Sequence, residues 1–321
     1  MLMPVYNDWS ACEAVIAGID NVFAELGSPV EIIAIDDGST VAGEIEAHPQ
    51  WQAIKCVSIL RLRRNLGHQR ALCIGLAYVE ANLDSQIIVV MDSDGEDLPT
   101  DIPKLLARFQ LESGRKIVFA ERTKRSESRL FRMGYVCYRG IHRLLTGHRV
   151  RVGNFSVIPR SSLRSLVVVP ELWSHYAAAV FNSRLPYCSV PTCRGRRLAG
   201  ESKMDVVALI THGLAAISVF SGRVGVRLLL ACCAMALSFV LGISLVIAVR
   251  LFTPFAIPGW ATFTVGILLL LLLQSLLAAA VFCFVILSGQ SRASFLPARD
   301  YSNFVERLDK FPLKSNQGPA S

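Results

Sequence analysis

Residues 86–97 read QIIVVMDSDGED, so an apolar, β-branched run ends abruptly in a group of carboxylates. The other short apolar runs are residues 1–5 (MLMPV), 31–36 (EIIAID), 54–62 (IKCVSILRL) and 116–120 (KIVFA). Amphipathic stretches lie between these runs at residues 9–26, 68–83 and 101–113. Short apolar strands that alternate with helices are typical of a mostly parallel sheet with helices on both faces. The sequence therefore predicts an α/β, Rossmann-like domain.

Acidic motifs follow two of the predicted strands. Asp36-Asp37-Gly38-Ser39 ends the second strand, and Asp92-Ser93-Asp94 follows the fourth. In open α/β sheets, ligands bind beyond the carboxyl ends of the strands. Clustered carboxylates repel one another, so a cation such as Mg²⁺ or Mn²⁺, or a hydrogen-bonding ligand, is expected among them. Each motif alone also fits an ordinary acidic turn, the second one capping a helix that begins near Pro99.

The composition changes sharply after Arg227. The 321 residues are 52% hydrophobic and 18% charged, whereas soluble domains are about 25% charged. Residues 228–249 and 261–287 contain no charged residue, and each stretch exceeds the roughly 20 residues that cross a bilayer. Two buried core helices are the alternative, but such helices seldom run this long without a polar face. The expected parts are a globular domain (1–200), an interfacial segment (201–227), two transmembrane helices with a short connector (228–288) and a tail (289–321).

The basic residues predict the orientation. Lys and Arg precede the first span and follow the second, whereas the connector carries only Arg250. The positive-inside rule therefore places both termini and the globular domain in the cytoplasm. Residues 122–151 carry nine Lys or Arg and a single acid, Glu127, interleaved with aromatic and aliphatic residues. This pattern fits an amphipathic helix on anionic lipid. Charge alone would also fit nucleic acid, but the downstream spans favour lipid, so no nucleic-acid partner is expected.

Motifs in order along nearly the whole chain resemble the family 2 glycosyltransferases of the GT-A fold. They are Pro4-Val5-Tyr6-Asn7-Asp8, Ile35-Asp36-Asp37-Gly38-Ser39, Arg64-Asn65-Leu66-Gly67, Met91-Asp92-Ser93-Asp94 with Pro99, and Gly200-Glu201-Ser202-Lys203 after Arg196-Arg197. The last motif, followed by two spans, resembles the polyprenyl-phosphate branch, which includes dolichol-phosphate mannosyltransferase and bactoprenol glucosyltransferase. One departure is Gly153-Asn154-Phe155-Ser156, which lacks the arginine and the upstream aspartate of the family's acceptor segment.

The resemblance implies a role for each matching residue. The nucleotide pocket would comprise Pro4, Tyr6, Asp8, Ile35, Asp36 and Asp37. The catalytic groups would be Asp92, Asp94, Arg122, Arg197 and Lys203. Mg²⁺ or Mn²⁺ would bind Asp94 and Glu96. The cation and the basic residues would offset the charge that develops on a diphosphate leaving group.

The implied activity is transfer of a sugar from a UDP- or GDP-sugar to a polyprenyl phosphate in the cytoplasmic leaflet, with inversion at the anomeric carbon. A phosphate acceptor is already anionic and needs no strong base, whereas a hydroxyl acceptor would need a base such as Asp97 or His175. A processive polysaccharide synthase is a second interpretation, although the chain lacks a Gln-x-x-Arg-Trp motif and further spans. A non-catalytic homologue that binds sugar nucleotides is a third. Homo-oligomerisation is left open.

Overall fold

The structure is a computed structural model of the chain. It describes residues 1–41, 51–122, 140–147, 152–193, 195, 197–198, 206–253, 259–290 and 295–312. The chain forms two compact units. The first combines residues 1–139, 148–219 and 294–321, and the second combines residues 140–147 and 220–293. The first unit is therefore built from sequence on both sides of the long apolar stretches.

The first unit contains one eight-stranded sheet. The strands are β1 (Leu2–Val5), β2 (Val30–Asp36), β3 (Ile54–Leu62), β4 (Ile87–Val90), β5 (Ile117–Arg122), β6 (Val152–Pro159), β7 (Tyr187–Thr192) and β8 (Val305–Pro312). The helices of the chain are α1 (Trp9–Glu25), α2 (His68–Asn82), α3 (Ile102–Leu111), α4 (140–146), α5 (Arg160–Leu166), α6 (Tyr176–Asn182), α7 (Val206–Ser218), α8 (Ser221–Phe252), α9 (Trp260–Gln290) and α10 (Pro297–Asp300).

The strand order is β7-β5-β6-β4-β1-β2-β3-β8. All of these strands except β6 and β8 run in one direction, because β4, β1, β2 and β3 are parallel neighbours and β5 is parallel to β7. Every residue of β1 is buried, as expected for a central strand covered on both faces. Helix α2 lies close to β1 and β2, where Gly75 leaves room for the side chain of Ile35. The predicted α/β, mostly parallel sheet is confirmed.

The prediction that residues 289–321 form only a tail is wrong for residues 305–312. These residues form β8, which pairs antiparallel with β3 at the edge of the sheet. Two aromatic side chains before β8, Phe295 and Phe304, pack on Trp173 with ring centroids 4.0 and 5.2 Å away. The strand was not predicted because pairs of charged residues separate its apolar ones, so it has neither an apolar run nor strict alternation; an edge strand tolerates such charges.

Strands β6 and β7 were also not predicted. β6 is inserted antiparallel between β4 and β5, and it contains residues 153–156, which the sequence analysis considered only as a segment near the acceptor. The predicted fifth strand extends two residues further, to Arg122. The loop that follows β4 carries Asp92, Asp94 and Glu96 and is called the acidic loop below. Because β6 pairs with β4, a side chain of β6 can reach this loop.

The second unit contains the two long apolar helices. Helices α8 and α9 have the length and hydropathy of membrane spans, and 11% and 6% of their most apolar windows are buried. Core helices of a soluble protein are mostly buried, so these two helices are candidate membrane spans. Helix α8 begins before the predicted span and includes Arg227, which donates hydrogen bonds to the carbonyl oxygens of Leu144 and Leu145. Most of the basic run at 122–151 lies outside the described residues.

Candidate functional site

The carboxylate of Asp36 builds the turn that follows β2. Its Oδ1 accepts a hydrogen bond from the backbone N–H of Ser39 at 2.8 Å, and its Oδ2 accepts one from Arg61 Nη1 at 2.9 Å. The turn passes through Gly38 at a φ of +68°, where a Cβ atom would lie 2.6 Å from the backbone nitrogen of Asn65. Glycine is therefore required at this position. Asp36 is 3% exposed, and both of its carboxylate oxygens are occupied by these hydrogen bonds. Its role is therefore to stabilise the turn.

The carboxylate of Asp37 holds the loop that precedes α2. Its Oδ1 accepts from the backbone N–H of Leu66 at 2.7 Å, and its Oδ2 accepts from that of Gly67 at 2.9 Å. Burial raises the pKa of Asp37, and these two N–H groups oppose the rise. Both oxygens thus fix the Arg64-Asn65-Leu66-Gly67 segment at the edge of the sheet.

Hydrogen bonds join the loops after β1, β2 and β4 into one edge. Asn7 Oδ1 accepts from the backbone N–H of Thr40 at 2.8 Å. The hydroxyl of Ser93 donates to the carbonyl oxygen of Pro4 at 2.7 Å. Tyr6 lies between these contacts and is 39% exposed. A ligand at this edge would therefore meet a preorganised surface.

The acidic loop after β4 is clamped by the segment near Arg197. Asp94 Oδ1 accepts from the backbone N–H of Glu96 at 3.0 Å. The backbone N–H of Gly195 donates to the carbonyl of Glu96 at 2.8 Å, and that of Leu198 donates to the carbonyl of Asp94 at 3.0 Å. Residues far apart in the sequence thus form one wall of the site.

Arg197 is the cation that this clamp brings to the carboxylates. Its Nη2 donates to Asp8 Oδ2 at 2.8 Å, and its Nη1 lies 3.8 Å from Asp94 Oδ2. Burial raises the pKa of Asp94, as do the Asp92 and Glu96 charges, although its backbone hydrogen bond and Arg197 oppose the rise. The loop therefore concentrates more negative charge than Arg197 offsets.

Asp92 faces two polar side chains that were not predicted as site residues. His68 Nε2 and Asn154 Nδ2 lie 3.2 and 3.3 Å from Asp92 Oδ1. Burial lowers the pKa of His68, but the nearby carboxylates, Asp92 first, outweigh it and raise the pKa overall. The signal for His68 in the sequence was its place directly after Arg64-Asn65-Leu66-Gly67.

Two further histidines lie nearby. The rings of His175 and His212 are 4.7 Å apart. The pKa of His212 is lowered by burial and by the charge of His68. The sequence analysis considered His175 only as a base for a hydroxyl acceptor, and His175 Nδ1 instead accepts from the backbone N–H of Ala178 at 3.4 Å.

Apart from Tyr6, which is exposed at the edge of the sheet, the structure places the predicted site residues in three groups. Those that it brings together beside the acidic loop are Asp8, Asp92, Asp94, Glu96 and Arg197. Those used within the fold are Pro4, Asp36 and Asp37, as described above, and Ile35, which is fully buried. The side chain of Ile35 packs at Gly75, and the place of Ile35 beside a nucleotide stays a prediction. Arg122 ends β5 opposite Thr192, and Lys203 lies outside the described residues.

The donor set can be compared with what a metal ion requires. Within the described ranges, no three His, Cys, Asp or Glu side chains are grouped as a metal site. Mg²⁺ is commonly bound through one or two carboxylates, with substrate phosphates and water completing its coordination. Two carboxylates of one loop, as at Asp94 and Glu96, fit that mode of binding.

Comparison with known proteins identifies relatives. The sequence profile described as "Glycosyl transferase family 2" matches residues 1–167. The "Uncharacterized glycosyltransferase YkcC" of Bacillus subtilis is 26% identical over 284 residues, which are 85% of each chain. The "Undecaprenyl-phosphate 4-deoxy-4-formamido-L-arabinose transferase" of Klebsiella pneumoniae is 26% identical over 65% of this chain. This chain spans 63% of the Klebsiella protein, which is less than two thirds of its length.

A solved structure is also similar. It is glucosyl-3-phosphoglycerate synthase from Mycobacterium tuberculosis in complex with Mn²⁺, UDP-glucose and phosphoglyceric acid. The similarity covers 70% of this chain and 78% of that one, with 18% identity and a TM-score of 0.46.

Proposed function

Because this chain belongs to glycosyl transferase family 2, we propose that it transfers a sugar from a UDP- or GDP-sugar to a polyprenyl phosphate. The reaction inverts the anomeric carbon, because the acceptor attacks opposite the leaving diphosphate. Relatives whose names specify undecaprenyl phosphate support this acceptor class. Among the described residues, we find no feature that favours the acceptor of a processive polysaccharide synthase.

One observation carries the proposal. Asp92, Asp94 and Glu96 follow a strand at the carboxyl edge of the parallel sheet, and Arg197 joins them from a distant segment. Ligands bind at this edge in open α/β sheets. A mixture of carboxylates and an arginine can hold a metal–diphosphate group, since the carboxylates bind the cation and the guanidinium binds phosphate oxygens.

We propose Asp94 and Glu96 as the protein's ligands for Mg²⁺ or Mn²⁺. When bound, the ion supplies Lewis-acid stabilisation of the diphosphate. The backbone N–H of Glu96 fixes Asp94 Oδ1, and the Gly195 N–H fixes the Glu96 carbonyl, so the loop is held before any ligand arrives. This preorganisation lowers the cost of placing charge in the transition state.

The ion pair with Asp8 fixes the position of the Arg197 guanidinium beside the acidic loop. Its second nitrogen, 3.8 Å from Asp94, is directed toward the acidic loop, where an entering diphosphate would compete for it. Arg122 and Lys203 are proposed as further cations, in line with the family resemblance. An ionised phosphate acceptor does not require deprotonation, so the residues need only bind and orient it.

The membrane location follows from the second unit. Helices α8 and α9 can each cross a bilayer, and the distribution of Lys and Arg favours a connector outside and termini in the cytoplasm. We therefore propose a catalytic domain in the cytoplasm, anchored in the cytoplasmic membrane, at residues 1–200 with a C-terminal contribution from residues 295–312. A lipid acceptor suits an enzyme anchored in this way.

The test is a donor screen with the full chain in detergent. Purified protein, undecaprenyl phosphate, Mg²⁺ or Mn²⁺ and radiolabelled UDP- and GDP-sugars should yield a product that extracts into organic solvent. Asp94→Ala should reduce the rate about 100-fold or more, because it removes a group that acts on the transition state. The matched control is Asp84→Ala, because the Asp84 side chain is 91% exposed and precedes β4, at the end of that strand opposite to the acidic loop.

Two outcomes would overturn the proposal. The first is the absence of lipid product with every donor while sugar nucleotides still bind, which would identify a non-catalytic binding protein. The second is equal turnover by Asp94→Ala, Asp84→Ala and the wild type, which would show that the acidic loop is not the reaction site.

A further inference from the structure

A chain of hydrogen bonds between amides leads from helix α6 to Asp92. The backbone N–H of Tyr176 donates to Gln69 Oε1 at 2.8 Å. Gln69 Nε2 donates to Asn154 Oδ1 at 3.0 Å. Asn154 Nδ2 then lies 3.3 Å from Asp92 Oδ1 and 2.8 Å from His68 Nε2. The chain thus ends on the first carboxylate of the acidic loop.

The direction of this chain is fixed at its start. A backbone N–H can only donate, so it requires the carbonyl oxygen of Gln69 and leaves the Gln69 amino group facing Asn154. That amino group in turn requires the carbonyl oxygen of Asn154. The amino group of Asn154 must then point to Asp92 and His68, since the alternative orientation would oppose like groups along the whole chain.

The position of Asn154 follows from the sheet. Val90 pairs with Ser156 and Ile88 with Ile158 in the antiparallel β4–β6 pair, and continuing this register places Asn154 opposite Asp92. Asn154 is 8% exposed, so it has little access to water as an alternative partner. Its amino group therefore donates to the carboxylate beside it, Asp92 Oδ1.

The side chain at position 154 must accept a hydrogen bond from Gln69 and donate one to Asp92, and a side-chain amide can do both. Aspartate could still accept from Gln69, but it could not donate to Asp92, and it would place a second carboxylate about as close as the present 3.3 Å contact. Two carboxylates at that distance disfavour the ionised pair strongly. A shorter apolar side chain would leave the amino group of Gln69 without its acceptor.

We propose that Asn154 is a positioning residue that orients the Asp92 carboxylate for binding of the sugar-nucleotide diphosphate. The inference rests on the proposed function, because it takes the acidic loop as the donor site. It gives the segment 153–156 a role on the donor side of the reaction, through Asp92, in place of the acceptor contact implied by the family resemblance.

The experiment compares Asn154→Asp with Asn303→Asp, which makes the same chemical change at an exposed position. Binding of UDP and GDP in the presence of Mg²⁺ is measured by calorimetry, and kcat and KM are measured separately for donor and lipid. Asn154→Asp should weaken nucleotide binding and raise the donor KM about tenfold, because repulsion moves Asp92. The lipid KM should stay within about twofold, a split that general loss of structure would not produce.

Gln69→Glu provides a second measurement if Asn154→Asp does not fold. Glutamate still accepts from the Tyr176 N–H but no longer donates to Asn154, so the donor KM should rise by a few fold. Normal donor binding and KM in either folded variant would overturn this inference and leave the proposed function standing. A wild-type chain that binds no sugar nucleotide and makes no lipid product would overturn both.

Discussion

Replacing Asp37 with asparagine tests whether this carboxylate holds the fold or meets a ligand. Asp37 accepts one hydrogen bond on each oxygen, from the N–H groups of Leu66 and Gly67. Asparagine has a single carbonyl oxygen, so its amino group must face one of those two N–H groups. A buried donor that loses its acceptor costs about 1–3 kcal/mol. Removing a charge that burial disfavours returns part of this cost, because burial is what raises the pKa of Asp37.

We therefore expect Asp37→Asn to lower the free energy of unfolding by about 2 kcal/mol. Urea unfolding of the detergent-solubilised chain, followed by circular dichroism, measures the change. Asp84→Asn is the matched control, because its side chain is 91% exposed and its ion pair with Arg160 is long, at 3.8 Å; exposed ion pairs contribute at most about 1 kcal/mol. Stability equal to that of the control, together with a large loss of nucleotide binding, would refute the loop-holding role and assign Asp37 to the ligand.

The free energy of unfolding of the wild type and of Asp37→Asn, measured as a function of pH, tests the direction of the Asp37 pKa shift. The pKa of Asp37 is higher in the folded state than in the unfolded state, so the native protein binds this proton more tightly. Its contribution to stability is greatest below the unfolded value of about 4 and falls as the pH rises through the folded pKa. Asp37→Asn should remove this downward slope. A slope of the opposite sign in the difference between the two proteins would contradict the assignment.

The remaining predictions concern thiols and the C-terminal strand. Burial raises the pKa of Cys12 to about 12 and also raises that of Cys73. Neither thiol should therefore react with iodoacetamide at pH 8 in the folded chain, whereas the exposed Cys193 should. Mass spectrometry with and without denaturant measures the labelling, and fast labelling of Cys12 in the folded chain would contradict the prediction. The hydrogen bond from Arg61 lowers the pKa of Asp309, so the stabilisation that Asp309→Asn removes should be present above about pH 4 and disappear as the pH falls through the folded pKa. Thermal unfolding across pH 2–7 measures it, and a constant difference would disprove the coupling.

The central strands were predictable from the sequence because a strand that is buried on both faces is a continuous run of apolar residues. β1, β2 and β4 are short runs of apolar residues, and they match the predicted runs closely. β8 has pairs of charged residues between its apolar ones, and its place in the sheet depends on pairing with β3 across most of the chain length. Local patterns cannot encode such a distant partner, so the strand was predicted as tail.

The sequence predicted where the candidate site lies, but it did not predict which partner each side chain of the site contacts. The rule that ligands bind at the carboxyl ends of parallel strands correctly brought Asp92 and Asp94 to the same edge as Asp36 and Asp37. The hydrogen-bond partners depend on side-chain geometry. Nothing in the sequence shows that Arg197 reaches Asp8, which is 189 positions away.

The acidic residues of this edge divide according to how many protein donors each one has. After β2, Asp36 and Asp37 each use both oxygens for backbone N–H groups or Arg61, so their charge stabilises turns. After β4, Asp94 accepts a single backbone hydrogen bond from the part of the chain that the structure describes, and it lies 3.8 Å from a guanidinium nitrogen of Arg197. A carboxylate that burial disfavours and that the fold leaves less satisfied gains most from an added cation. The same sheet edge thus provides rigid loops from one strand and, from another, carboxylates whose charge a divalent cation would offset.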